Sequence, residues 1–141
     1  MPLRFGVTVD CHDPVGLAEF WKGLLGYVDH PAPAGWSTWH DHDQARGLKP
    51  GQPRGDWTDD GWAIVDPDDL GERLFFQRVP EPKTVKNRLH LDVRIPVSDL
   101  DVEAVVEHEI ARAVGLGASV LSRDRRVLAD PEGNEFCLIG A

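Results

Sequence analysis

At 141 residues, with 41% hydrophobic and 28% charged side chains, the chain has the size and composition of one compact soluble domain or two very small modules sharing a core. A formal net charge of −9 withholds the basic footprint that nucleic acid or an anionic membrane surface requires. Two short cationic clusters, at 83–88 and 123–126, read instead as a solvated connector and a hairpin tip.

The opening stretch MPLRFGVTVDCHD holds no apolar run of signal-peptide length, and no segment approaches the ~20 apolar residues of a membrane span, so a cytoplasmic protein is expected. Residues 4–10, RFGVTVD, read as a strand rich in β-branched side chains. Asp13 then caps a helix with Pro14 at its first position, where a missing N–H does no harm. Leu17, Phe20, Trp21 and Leu24 recur at helical spacing as one apolar face, and Gly26 closes the helix. From Val28 to Asp60 the pattern breaks down around Pro31, Pro33, Pro50 and Pro53. Long loops are expected there, with a short strand over 36–42, WSTWHDH. Residues 62–66 and 73–79 read as strands joined by the turn DPDDLG, and the polar crossover 80–86, with Pro80 and Pro82, is the one clear boundary.

The second half repeats this programme. A strand over 89–95, LHLDVRI, leads to a helix capped near Ser98 or Asp99. Val102, Val105, Val106, Ile110, Ala113 and Val114 form its buried stripe, and Gly115 and Gly117 end it. Strands follow over 118–122, 126–130 and 135–139, joined by the turns RDRR and DPEGN. The echo reaches residue level, 64-IVDPDD-69 against 128-LADPEG-133. Two modules, 1–80 and 87–141, are therefore expected, neither burying its own sheet face alone. Each half is a strand and a helix followed by two or three strands; paired, they give an α+β fold, two tandem modules of βαβββ type in a curved half-barrel mixed sheet around a cavity with the helices outside. Cys11 and Cys137 are expected as reduced thiols in strands.

This pattern resembles the vicinal oxygen chelate superfamily, which includes glyoxalase I, the bleomycin resistance proteins and the extradiol dioxygenases. The segment 13-DPVGLAEFWKGLLGY-27 is similar to the superfamily's first helix, and 130-DPEGNEFCLIG-140 to its last hairpin. The stretch 74-LFFQRVPEPKTVKNRLHLDV-93 resembles a metal-poor bacterial glyoxalase-like subgroup that carries FFQ, VPE, K-x-K-N-R and LHLD in this order. The resemblance implies a homodimer that takes a small molecule into its sheet cavity. Metal-dependent members place a His, Gln or Glu on each of four strands, and the corresponding places here are Gly6, Phe75 or Gln77, His90 and Cys137. Gly6 has no side chain and Cys137 stands where the family has Glu, which leaves His90 as the only well-matched ligand position. No cofactor is expected on this reading, and metal-dependent glyoxalase I activity is disfavoured. A divalent metal would need an atypical set, such as zinc on His90 and Cys137 with Gln77.

Within that frame several residues carry chemistry. His90 and Asp92 are two apart in an extended segment and point to one side. They form either an acid–base pair working near neutral pH or a hydrogen-bonded pair that fixes the sheet. Phe75, Gln77 and Cys137 would line the same space. Gln77 offers an amide to a ligand, and Cys137 is either a nucleophile or a small packed residue. In 40-HDHD-43, His40 and His42 share a face only if the segment is extended, and Asp41 and Asp43 then point away, so the run reads as a solvated loop. Trp36, Trp39, Trp57 and Trp62 are concentrated in one stretch, where they either line an aromatic ligand site or pack a core. Three functions follow: a metal-independent binding protein for a small aromatic or amphipathic molecule, a lyase or isomerase moving a proton on a carbonyl compound through His90 and Asp92, or a dimeric interaction module without catalysis.

Overall fold

The computed structural model describes residues 1–47, 61–98 and 101–140, in two compact units, Met1–Pro82 and Lys83–Ala141. The first unit opens with β1 (Val7–Cys11), three residues later than the composition of the segment suggests. Pairing sets the limit: Val7 is the first residue with a partner, Leu74, and its N–H donates to the carbonyl of Arg73 at 3.2 Å. Helix α1 (Pro14–Leu25) follows as the sequence predicts. The Asp13 carboxylate accepts from the N–H of Gly16 at 3.0 Å, and Gly26 ends the helix in the left-handed region at φ 74°. Leu17, Phe20, Trp21 and Leu24 are all buried to 5% exposure or less. Burying each such side chain is worth about 1.5–3 kcal/mol.

Two elements of this unit differ from the sequence reading. A short strand β2 (Val28–Asp29) continues the chain after Tyr27, and residues 39–42, expected as the end of a strand over 36–42, belong instead to helix α2 (Trp39–Ala45). The reason lies in Thr38, whose hydroxyl accepts from the N–H of Asp41 at 3.1 Å and starts a helical turn before any strand can pair. A helical backbone also removes the two-residue alternation on which a shared face in 40–43 would rest. Strands β3 (Gly61–Val65) and β4 (Leu74–Arg78) complete the unit. The sheet runs β1-β4-β3-β2, with β1 and β4 parallel and the other pairs antiparallel. Ile64, Leu74 and Phe76 form, with α1, the core of this unit.

The second unit repeats the topology. Strand β5 (Leu91–Ile95) is followed by α3 (Val102–Leu116), β6 (Ser119–Ser122), β7 (Val127–Ala129) and β8 (Glu135–Gly140), in the order β5-β8-β7-β6 with β5 and β8 parallel. Here too pairing shortens the first strand. Ladder contacts begin at Leu91 with Phe136, so Leu89, 89% exposed, and His90 precede the strand and are not part of it. The cap of α3 is Asp101, whose carboxylate accepts from the N–H groups of Glu103 and Ala104, and not Ser98; Asp99 lies outside the described residues. Val106, Ile110 and Ala113 are buried as expected, whereas Val102 and Val114 are exposed. Adjacent helical positions lie about 100° apart, so Val114 cannot share the face of Ala113. Phe136, Leu138 and Leu128 supply the sheet side of this core. Both units are thus βαβββ modules, the α+β architecture predicted, with α2 added to the first.

Candidate functional site

The parallel register of β5 and β8 sets Asp92 directly beside Cys137. Register partners on neighbouring strands share a side of the sheet. Asp92 and Cys137 therefore lie opposite the core side occupied by Leu91, Val93, Phe136 and Leu138. His90, although outside the strand, reaches the same spot: its Nε2 is 3.3 Å from Asp92 Oδ1. The ligand-type atoms of His90, Asp92 and Cys137 all lie within 4.8 Å of one another. With side chains 41% and 49% exposed, the His90–Asp92 pair faces solvent and contributes little to stability. That leaves it open to a ligand.

Cys137 is half-buried. Burial pushes its thiol upward from the ordinary value, and the negative charge of Asp92 beside it and the hydrogen bond between the two push the same way, against a smaller opposing effect of Lys86. The thiol is accordingly protonated near neutral pH and is a weak nucleophile. Neither Cys11 nor Cys137 forms a disulfide.

A neighbouring contact escaped the sequence reading. Glu135, at the start of β8, accepts from the N–H of Asn87 at 3.0 Å and pairs with Lys83 at 3.1 Å. Burial works to raise the Glu135 carboxyl, but the Asn87 N–H and the Lys83 ammonium outweigh it and hold the group below its usual range. These bonds tie the segment before His90 to β8. The lysines of 83–86 were legible only as solvated charge, because their partner lies across the unit in sequence.

The first unit provides a control. Val7 meets Leu74 as Leu91 meets Phe136. By register, then, Gly6, Thr8 and Phe75 hold the places of His90, Asp92 and Cys137, and Gln77 that of Ile139. The turn 66–73 is two residues longer than 130–135, which is why counting along the sequence left Phe75 and Gln77 open. Phe75 lies under the Arg73 guanidinium, 5.3 Å from its ring centre, and the Gln77 amide donates to Asp10 Oδ1 at 3.3 Å. Gly6, Thr8 and Phe75 offer no imidazole, carboxylate or thiol. A metal held by one ligand from each of four strands does not fit these residues.

The tryptophans separate into two groups. Trp62 is the register partner of Phe76 on the core side of β3 and β4, away from Phe75 and Gln77. Its indole N–H donates to Asp29 Oδ1 at 2.8 Å, and Lys22 reaches the same oxygen at 2.9 Å. Trp39 donates to the His30 carbonyl at 3.1 Å, and its ring lies 5.5 Å from His30 and 5.4 Å from His42. Trp36 stands edge-on to His42 at 5.7 Å and is 41% exposed. These rings make a continuous aromatic row in the first unit, and His42 is held in it by Asp43 at 3.0 Å. Trp57 and the side chain of His40 lie outside what the structure describes.

Comparison with known proteins agrees with this architecture. No curated protein sequence matches the chain. Among solved structures, a glyoxalase/bleomycin resistance protein/dioxygenase family enzyme from Burkholderia phytofirmans PsJN is similar at 14% identity, covering 95% of this chain and 94% of its own, with a TM-score of 0.60. The genomically encoded fosfomycin resistance protein FosX from Listeria monocytogenes is similar at 12% identity, covering 100% and 92%, with a TM-score of 0.63. A mutant of that FosX, solved in complex with Mn(II) and 1S,2S-dihydroxypropylphosphonic acid, gives 9% identity, 100% and 94% coverage and a TM-score of 0.61. At these identities the likeness speaks for the fold alone. The family model for the glyoxalase-like domain matches residues 6–139, and the chain belongs to that family.

Proposed function

We propose that this protein binds a small aromatic or amphipathic molecule, in the manner of the glyoxalase/bleomycin resistance type, and does so without the four-strand metal set of its metal-dependent relatives. The observation that carries the reading is the aromatic row His30–Trp39–His42–Trp36, which ends in a tryptophan left 41% exposed. A large ring kept at the surface, beside others held in place by hydrogen bonds, offers a stacking platform at low ordering cost. Tryptophan emission titrated with a panel of planar aromatic amphiphiles tests it. Saturable quenching is expected, weakened at least about tenfold in Trp36→Leu, the loss of one stacked ring being worth roughly 1.4 kcal/mol. Quenching that never saturates, or that is unchanged in both Trp36→Leu and Trp39→Leu, overturns the reading.

One observation favours a second reading. The 3.3 Å approach of His90 to Asp92, open to solvent, suits a pair that moves a proton on a bound carbonyl compound, as a lyase or isomerase does. Exchange of the α-proton of small hydroxycarbonyl compounds with solvent deuterium, followed by NMR, would then be lost in His90→Ala.

The proposal includes a homodimer, checked by mass from light scattering at micromolar concentration, and a cytoplasmic location. Among the described residues no helix is long and apolar enough to cross a membrane.

A further inference from the structure

We infer that Glu135 is a positioning residue for His90, acting through a strap formed by residues 83–87 that it holds onto β8. This role rests on the reading of His90 and Asp92 as a proton-moving pair, and it adds the device that brings the imidazole to the carboxylate.

His90 reaches Asp92 from a stretch with little hold of its own. Residues 83–90 carry no strand pairing, and all of them except the half-buried Asn87 are exposed. The 3.3 Å contact between His90 and Asp92 is itself open to water, where an ion pair offsets little of the entropy lost in ordering the chain before it. The hold comes from Glu135, whose side chain is 15% exposed. Its carboxylate accepts from the Asn87 N–H at 3.0 Å, and the Lys83 ammonium reaches its two oxygens at 3.1 and 3.3 Å. Such bonds to an ionised acceptor are stronger than those between neutral groups. Lys83 also donates to the Val85 carbonyl, and Lys86 to the Asn87 carbonyl at 3.4 Å, so the strap is drawn together around its anchors. Burial works to raise the Glu135 carboxyl, but the Asn87 N–H and Lys83 keep it below its usual range, and the latch is charged at neutral pH.

The spans agree with this role. Glu135 and Cys137 are two apart on β8 and share a side, so their Cα atoms stand about 6.6–6.8 Å apart, and Asp92 is the register partner of Cys137. From Asn87 to His90 the chain runs three residues, at most about 10–11 Å. An anchor at Glu135 therefore confines His90 to the neighbourhood of Asp92. With Nε2 facing Asp92, the imidazole takes the α-proton of a bound hydroxycarbonyl compound at Nδ1. The C–H electron pair moves onto the carbonyl oxygen, and the proton, or one from solvent, returns to carbon. A misplacement of about 1 Å is costly to such a step. Glu135 acts only through the strap.

The test uses the full chain and reads position separately from activity. NOEs between the His90 ring protons and the Cys137 Hβ protons are expected, since the ring and thiol atoms lie within 4.8 Å. Glu135→Ala should abolish these NOEs and quicken hydrogen exchange of the Asn87 amide at least about tenfold. Lys83→Met, a change at the surface, should quicken that exchange a few-fold and reads the same latch if Glu135→Ala does not fold. Glu135→Gln keeps an acceptor for the Asn87 N–H and should restore the NOEs. For α-proton exchange, Glu135→Ala should lower kcat at least about tenfold with KM within about twofold, and Glu135→Gln should recover much of the loss. NOEs and Asn87 exchange that stay unchanged in Glu135→Ala and Lys83→Met overturn the role, as does an unchanged kcat once the NOEs are lost. A wild-type chain that exchanges no α-proton refutes the proton-transfer reading instead, and the NOEs still decide whether Glu135 sets His90.

Discussion

The two units share a strand order, a parallel first-to-last strand pair and a helix over one side of the sheet, yet they present opposite chemistry on the other side. Where the second unit sets His90, Asp92 and Cys137 together, the first sets Gly6, Thr8 and Phe75. Between its second and third strands the first unit gathers His30, Trp36, Trp39 and His42 into an aromatic row, where the second has only the tight turn between β6 and β7. The core sides barely differ: Leu74 and Phe76 in one unit answer to Phe136 and Leu138 in the other, all buried. Packing constrains the covered face in both modules, whereas the residues named on the other face are half-buried or exposed and are freer to diverge.

That contrast can be broken at its turns first. Asp130, 3% exposed, accepts from the N–H groups of Glu132 and Asn134 and from the Asn134 amide, while the corresponding Asp66 is less buried and accepts from Asp68 and Gly71. Asp130→Ala leaves several donors short of a partner and should cost about 3 kcal/mol, against about 1 kcal/mol for Asp66→Ala. Urea midpoints measure both, and equal costs would mean that the two turns are mechanically equivalent.

The glycines give a smaller difference. A Cβ on Gly140 would stand 2.8 Å from Val102 Cγ1, whereas one on Gly6 meets nothing nearer than the Arg73 carbonyl at 4.0 Å. Gly140→Ala should lower stability by about 1 kcal/mol and Gly6→Ala by less than about 0.5 kcal/mol. If Gly6→Ala proves the costlier, the first unit has a constraint at that strand entrance that its neighbours do not reveal.

The smallest effect concerns reactivity. Burial and the Asp92 charge raise the Cys137 thiol above its ordinary value of 9.0, so its thiolate fraction at pH 8 is lower than that of an ordinary thiol. Alkylation of Cys137, read by peptide mass, should therefore be slow at pH 8 and climb only as the pH passes 9. Asp92→Asn removes the negative neighbour, lowers the pKa and should speed the reaction at pH 8 a few-fold. A cysteine placed in the first unit by Phe75→Cys, with Thr8 beside it, should react faster than Cys137 at the same pH. Equal rates at the two positions would show that burial alone governs them.

Most of this fold is written in local patterns. The Asp13–Pro14 start, the Leu17–Phe20–Trp21–Leu24 stripe and the repeated DP turns each require only neighbouring residues, and each appears in the structure as read. Strand ends were less legible because a strand ends where its partner does: Val7 and Leu91 begin their strands by pairing with Leu74 and Phe136, distant in sequence. Helix α2 was missed because Thr38 capping competes with the β-propensity of the tryptophans around it, and propensity alone cannot rank the two. At the candidate site, His90 and Asp92 were visible as a pair through their spacing. Cys137 joined them through the family resemblance, as the residue standing where relatives carry Glu; its direct pairing with Asp92 follows from the β5–β8 register and the anchoring of 83–87 from Glu135, neither of which a linear pattern encodes.

The Asp130 turn has a meaning beyond its energy. Its N–H donates to the Asn134 carbonyl at 2.9 Å, and Gly133, with φ of 88°, makes the reversal between β7 and β8. Because side chains alternate sides at every residue, sliding β8 by a single position would carry Cys137 into the core and bring Phe136 or Leu138 to the open face. A carboxylate in the preceding turn thus works as a parity lock: it decides whether β8 turns sulfur or only carbon toward the open face.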